Sequence, residues 1–211
     1  MTQFTNISTL IFDLGGVLIN LDLPQCIQNF KQLGLQDFEQ HLNLFGQKDF
    51  FLKFEKGQIS VEQFRAEIRK LATSTLSDEQ IDWAWCSFLC DIPLEKIKLL
   101  EKLKSEFRLV MLSNTNYLHI NVSAAGEFAK AGKKISDLFD ACYLSYEMHM
   151  AKPDAEIFLK LLEDEQVKPN QCLFLDDGIK NINQAQLLGF QTYLVSPNEN
   201  LDFLLNNETW Q

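Results

Sequence analysis

The run Leu10-Ile11-Phe12-Asp13-Leu14-Gly15-Gly16-Val17-Leu18 carries one carboxylate out of the end of what reads as a buried strand, and the rest of the architecture can be built from it. A short apolar run bounded by glycine is the pattern of a strand in a parallel sheet, covered on both faces, and such sheets place ligand chemistry beyond the carboxyl ends of their strands. A second apolar run, Cys172-Leu173-Phe174-Leu175, ends on two further acids, Asp176 and Asp177. Carboxylates gathered at one end of a sheet would bind a hard cation.

Between and after these runs the periodicity changes. From about Leu23 to Cys90 the chain reads as helical, and both Ser60-Val61-Glu62-Gln63 and Ser77-Asp78-Glu79-Gln80 fit the capping-box pattern, the first leading a helix through Phe64, Ile68 and Leu71. Strand and helix then alternate. Leu94 to Glu106 reads as helix, Phe107 to Leu112 as strand, Cys142 to Leu144 as strand and Asp154 to Glu165 as helix. Cys172 to Leu175 follows as strand, Ile179 to Leu188 as helix and Thr192 to Val195 as strand. This alternation predicts a doubly wound parallel α/β sheet, Rossmann-like, with helices on both faces. The expected division is an α/β core of residues 1–20 and 94–211 and a helical insertion of residues 21–93, with no internal repeat, low-complexity tract or proline-rich linker.

Composition limits the function. The chain has 211 residues, 46% of them apolar, and 17 phenylalanines, enough for a substantial core. A net charge of −10 and a pI near 4.8 argue against a nucleic-acid partner, which would call for clustered Lys and Arg. No apolar run approaches the ~20 residues that span a bilayer, and Met1-Thr2-Gln3 does not open a signal peptide, so a cytoplasmic location without membrane association is expected. Monomer and dimer both stay open. Cys26, Cys86, Cys90, Cys142 and Cys172 form no Cys-x-x-Cys pair and no zinc pattern, although Cys86 and Cys90 could share a helix face; reduced structural thiols are expected.

Four segments fall in a telling order: Phe-Asp-Leu-Gly-Gly-Val at 12–17, Leu-Ser-Asn-Thr-Asn at 112–116, Lys-Pro-Asp at 152–154 and Asp-Asp-Gly-Ile-Lys-Asn at 176–181. In that order the chain resembles the haloacid dehalogenase-like superfamily of hydrolases, over essentially its whole length. It is most similar to the branch of bacterial glucose-1-phosphate phosphatases and the phosphatase domain of bifunctional epoxide hydrolases. The resemblance implies a Mg2+-dependent phosphatase of small phosphorylated metabolites, sugar phosphates favoured, working through an aspartyl-phosphate. It implies Asp13 as nucleophile, and Asp13, the Gly15 carbonyl and Asp177 as metal ligands with Asp176 in support. Ser113, Asn114 and Lys152 would hold the phosphoryl group, Pro153 would sit in the first turn of the helix after Lys152, and Asn181 would support the site from behind. The chemistry is coherent, because a carboxylate nucleophile splits hydrolysis into two displacements and a cation offsets the repulsion between enzyme and substrate.

One position departs from the usual family pattern. A second Asp, two residues after the nucleophile, ordinarily moves protons to the leaving group and from the attacking water; here that residue is Gly15. Loss of such a group costs about 10²- to 10⁴-fold in rate, which a good leaving group such as the anomeric oxygen of a sugar 1-phosphate would offset. Two other readings stay open: a haloacid dehalogenase-type hydrolase, and a non-catalytic phosphate-sensing or protein-binding module. His119 reads as a structural helix residue and is also the visible stand-in for the missing acid; His41 and His149 show no metal spacing. The helical insertion, residues 21–93, resembles the small cap domain of this superfamily; in it Phe45 to Gly57 mixes aromatics with Lys and could line a sugar-phosphate pocket, while Phe50, Phe51 and Phe54 read as packing residues. Trp83 and Trp85 cannot share one helix face.

Overall fold

A computed structural model describes residues 4–41 and 50–210. Five strands, β1 (Thr9–Phe12), β2 (Arg108–Ser113), β3 (Ala141–Leu144), β4 (Cys172–Asp176) and β5 (Gln191–Leu194), form one sheet in the order β3-β2-β1-β4-β5. Every neighbouring pair is parallel, with Ile11 opposite both Val110 and Phe174 at the centre. The side-chain period of two then sorts the core. Leu10 and Phe12 join Leu109, Met111, Leu173 and Leu175 on one face, and Ile11 joins Val110, Leu112, Cys172 and Phe174 on the other. Both sets are fully buried, which is why these strands are continuous apolar runs.

Helices cover each face. After β1 come α1 (Leu23–Gln32), α2 (Phe38–His41), α3 (Phe50–Glu55), α4 (Val61–Leu71) and α5 (Asp78–Cys86), then α6 (Leu94–Leu103) before β2. The segment after β2 holds α7 (Ala125–Lys130) and α8 (Ile135–Leu138), and β3 leads into α9 (Ser145–Met148) and α10 (Ala155–Glu165), with α11 (Ile179–Leu187) after β4. Ile97, Leu100 and Leu103 of α6 and Phe128 of α7 pack on the first face; Ile157, Phe158 and Leu161 of α10 and Ile182 and Ala185 of α11 pack on the second.

Helices α1 to α5 build a second apolar cluster of their own. Phe30, Phe38, Phe51, Phe54, Phe64 and Trp85 are at its centre, with Phe30 stacked on Phe38 at 3.9 Å and Phe54 on Phe64 at 4.3 Å. Phe50, Phe51 and Phe54 are therefore packing residues; Phe45 to Asp49 lie outside the described residues. Both capping boxes form, Ser60 with Gln63 and Ser77 with Gln80. Trp85 is 3% exposed and Trp83 52%, on opposite sides of α5. Where the chain enters and leaves this helical segment, Asn20 to Asp22 runs antiparallel to Phe88 to Asp91, with Asp22 N–H donating to Phe88 O and Cys90 N–H to Asn20 O.

Three local expectations need correction. Cys90 lies in that returning linker, beyond the last turn of α5, so it shares no helix face with Cys86. Pro153 lies in a turn ahead of α10, whose first residue is Ala155, and the Lys152–Pro153 peptide is cis. That turn closes when Asp154 N–H donates to Ala151 O, which holds Pro153 outside the helix. Residues 117–138, to which the sequence pattern assigns no element beyond a helical His119, hold a π-helical run at His119–Ala124, then α7 and α8. A wide turn displaces the apolar positions from their 3.6-residue spacing, so the amphipathic signal is lost. The five cysteines are free thiols, Cys26 and Cys172 buried and Cys142 exposed.

Candidate active site

The chain winds from β1 outward to β3 and then crosses back to β4 on the other side of β1, so the sheet reverses its winding at β1. A crevice opens beyond the carboxyl ends of strands at such a reversal. Asp13 follows β1 and Asp176 ends β4, and the Asp13 N–H donates to Leu175 O at 2.9 Å, extending the ladder to the rim. Carboxylate oxygens of Asp13, Asp176 and Asp177 all lie within 4.8 Å of one another.

Lys152 enters this cluster from the loop between α9 and α10. Its ammonium lies 3.0 Å from Asp13 Oδ1 and 2.6 Å from Asp176 Oδ2, and it donates to Leu112 O at 2.8 Å. Those three contacts use all three of its donors, and the side chain is only 1% exposed. Burial alone would lower its pKa, but the two carboxylates outweigh it and hold the ammonium above its ordinary value. Asp13 Oδ1 also accepts from the Leu14 N–H at 2.7 Å, whereas Oδ2 takes no hydrogen bond among the described residues. Burial pushes the Asp13 carboxyl up to about 7, with Asp176 and Asp177 adding to the rise and Lys152 opposing it.

The other two acids differ. Asp176 is fully buried; its Oδ1 accepts from Gly178 N–H at 2.7 Å and Asn181 Nδ2 at 2.9 Å, while Oδ2 takes Lys152. Asp177 is exposed at the rim, and desolvation of its carboxyl together with Asp176 keeps it above its ordinary value. Gly16, with φ at +72°, passes so close that a Cβ there would stand 2.2 Å from Asp177 Oδ2. The second glycine of the Gly15-Gly16 pair is thus the one that lets the strand-end loop meet the acid. At Gly15 an added Cβ would meet only the Leu21 side chain, at 3.3 Å.

β2 supplies Ser113 and Asn114. The Ser113 hydroxyl is on a residue 2% exposed and has no hydrogen-bond partner among the described residues, an orphaned donor at the mouth of the sheet. The Asn114 side chain turns away from that role: its Nδ2 donates to Lys152 O and its Oδ1 accepts from Lys152 N–H, each at 2.8 Å. The next two residues anchor the helical segment. Buried Asn116 accepts from the Trp85 indole at 3.3 Å and meets His119 Nδ1 at 3.1 Å, and His119 Nε2 donates to Trp85 O at 3.2 Å. With both ring nitrogens engaged and the ring stacked on Trp85, burial brings His119 down to about 4. His119 is therefore a structural residue, neutral and sealed, and does not stand in for the missing acid.

A second set of contacts joins the helical segment to the core, and spacing gave no hint of it. Ser145 Oγ lies 2.6 Å from Glu55 O, His149 Nδ1 donates to Lys56 O at 2.9 Å, and Lys56 pairs with Asp154 at 3.1 Å. Gly57, with φ at +61°, makes the approach feasible, since a Cβ there would lie 2.0 Å from Tyr146 O. These partners lie about 90 or more residues apart in sequence, beyond the reach of any local pattern.

A parallel α/β sheet with a carboxylate at the end of β1, two at the end of β4 and a buried lysine among them defines a class of α/β hydrolytic enzymes. Comparison with known proteins gives the family: the profile of haloacid dehalogenase-like hydrolases matches residues 7–189, and the chain belongs to that family. It is 34% identical over 187 residues to the D-ribitol-5-phosphate phosphatase of Bacteroides thetaiotaomicron, covering 89% of this chain and 91% of that one. A haloacid dehalogenase family enzyme of the same species, crystallised as an Asp-to-Ala variant with magnesium and inorganic phosphate, superposes with a TM-score of 0.93 at 42% identity, over 95% of this chain and all of that one. A haloacid dehalogenase-like hydrolase from Porphyromonas gingivalis gives a TM-score of 0.85 at 37% identity, over 92% of this chain and 94% of its own. No helix among the described residues is long and apolar enough to cross a membrane.

Proposed function

We propose that this hydrolase is a Mg2+-dependent phosphomonoesterase acting on small phosphorylated metabolites, sugar and polyol phosphates foremost. The observation that carries the reading is the gathering of three carboxylates within 4.8 Å of one another with only one ammonium, paired to Asp13 and Asp176, to offset them. Charges of one sign at this range repel strongly in a partly desolvated site, and one Lys leaves an excess of negative charge. A small divalent cation with all-oxygen ligands fits that donor set. Asp13, the Gly15 carbonyl and Asp177 would hold it, with Asp176 in support, and Gly16 leaves the room for Asp177 to do so. When bound, Mg2+ would neutralise charge on the phosphoryl oxygens. The similarity to a D-ribitol-5-phosphate phosphatase and to an enzyme crystallised with magnesium and phosphate supports both the reaction and the substrate class.

In this reading Asp13 Oδ2, the oxygen without a hydrogen bond, attacks phosphorus. The ester P–O bond breaks, its electron pair leaves with the sugar oxygen, and an aspartyl-phosphate forms. Water then attacks that phosphorus, inorganic phosphate departs and the Asp13 carboxylate is restored. Lys152 opposes the rise in the Asp13 pKa that burial causes and faces the phosphoryl group, and the unpartnered Ser113 hydroxyl and the backbone N–H of Asn114 receive its oxygens. Asn181 keeps Asp176 oriented. The leaving oxygen takes its proton from water, because Gly15 has no side chain and His119 is sealed. Residues 21–93 form a cap that shields this chemistry and supplies specificity, on a core of residues 1–20 and 94–211.

The test is phosphate release from a panel of sugar 1-, 5- and 6-phosphates and pentitol phosphates, with Mg2+ and with EDTA, for the native chain, Asp13→Asn and Lys152→Ala. Release that requires the metal and Asp13, and falls at least about 10²-fold in Lys152→Ala, is the expected result. Metal-independent release, or release that survives Asp13→Asn, would overturn it.

A further inference from the structure

We infer that Asn114 is a positioning residue for Lys152, acting on the lysine backbone and touching no substrate through its side chain. The inference rests on the phosphatase reading for its kinetic consequences, while its geometry stands apart from that reading. Lys152 is not part of any strand or helix; it sits in the turn between α9 and α10, where no ladder fixes its height above the sheet. Its N–H and C=O are both satisfied by the one carboxamide of Asn114, as donor to Oδ1 and acceptor from Nδ2, each at 2.8 Å. This two-point contact copies a strand pairing, with a side chain in place of the neighbouring strand. The same lysine returns its ammonium to Leu112 O, two residues before Asn114. Lys152 is thus pinned to the end of β2 at both its backbone and its tip, and the distances of 3.0 Å to Asp13 and 2.6 Å to Asp176 follow from those two anchors.

The chemistry of the carboxamide explains why Asn is needed. Asp in its place would keep the acceptor for the Lys152 N–H but set a carboxylate oxygen against the Lys152 carbonyl. Ala would remove both partners and leave a buried N–H and C=O unsatisfied. With Oδ1 and one Nδ2 hydrogen held by Lys152, the plane of the carboxamide is fixed toward that turn, and the backbone N–H of Asn114 is the better-placed donor for a phosphoryl oxygen. Misplacement of a charged group by about 1 Å can cost about 10²-fold in rate.

Two measurements on the full-length chain decide the matter. Hydrogen exchange of the peptide spanning residues 150–156 reads the Lys152 amide directly, needing neither metal nor substrate. Faster exchange there in Asn114→Ala and near-native exchange in Asn114→Asp are expected, with β1 and β4 peptides unchanged as the control for folding. In kinetics, Asn114→Ala is expected to lower kcat by about 10- to 100-fold with KM within about threefold of native, and to add nothing further in a Lys152→Ala background. Unchanged exchange in Asn114→Ala, or a raised KM at native kcat with effects that add to those of Lys152→Ala, would overturn the assignment and make Asn114 a direct substrate ligand. Should the native chain release no phosphate, the phosphatase reading falls while the exchange experiment still decides the role of Asn114.

Discussion

At the scale of single residues the site is a problem of crowding solved by glycine and lysine. Three carboxylates meet, two of them on one ammonium, and their approach is permitted by neighbours that yield space or charge. Gly16 is the clearest case, because its φ of +72° and the 2.2 Å approach of a notional Cβ to Asp177 Oδ2 leave no room for a side chain. Gly16→Ala should push Asp177 out of the cluster and strain the loop by about 1–3 kcal/mol. The Mg2+ concentration giving half-maximal phosphate release should rise at least about tenfold, read by metal titration of activity and by calorimetry of Mg2+ binding. An unaltered metal requirement would mean that Asp177 is not a ligand. Residue-scale reading of the sequence went far for the acids, since a carboxylate at the end of an apolar strand has few structural uses. For Asn114 it stopped short, because spacing gives a residue's place at a strand end and not whether its carboxamide faces a ligand or the next loop.

At the scale of elements, the helical segment is stitched together by caps and aromatic packing and tied to the sheet by polar contacts. Ser60 and Ser77 each accept from the backbone of the Gln three residues on, and each Gln side chain returns the bond. Ser60→Ala and Ser77→Ala should each lower stability by about 1 kcal/mol in urea unfolding, with the Mg2+-dependent kcat near native because neither touches the sheet rim. A loss below about 0.3 kcal/mol in both would show that solvent satisfies those helix ends equally well. Both boxes were visible in sequence because a cap is a local pattern of four residues. The ties to the core were not: Lys56 to Asp154, His149 to Lys56 O and Ser145 to Glu55 O join segments that only folding brings together. The helices between Tyr117 and Leu138 also escaped, because the π-helical turn at His119–Ala124 breaks the period on which an amphipathic reading depends. The five strands were read to within a residue or two: β1, β2 and β4 are buried and largely apolar, whereas the partly exposed edge strands β3 and β5 were legible from their place in the strand–helix alternation.

For the whole molecule, a chain of net charge −10 that works on phosphate esters must concentrate its attraction at one place. The same concentration makes the site a cost to folding when no cation is bound. Asp13 has an ordinary value of 3.8 in the unfolded chain and is pushed up to about 7 by burial in the folded one, with Asp176 and Asp177 contributing. Between those values the native state keeps a proton that the unfolded state has lost, so the Asp13 contribution to stability falls as pH rises through that window, by at most about 1.4 kcal/mol per pH unit, and levels off above about 7. Mg2+ binds the ionised form and reverses the trend, adding about 2.7 kcal/mol at a hundredfold excess over its Kd. Urea unfolding from about pH 5 to about pH 8 in EDTA should therefore show the native chain losing stability relative to Asp13→Asn as pH rises, and Mg2+ should restore the native chain most strongly at the alkaline end while leaving the variant nearly unmoved. Parallel curves for the two proteins in EDTA would show that the folded chain keeps Asp13 ionised without a metal, and that Lys152 alone balances the cluster.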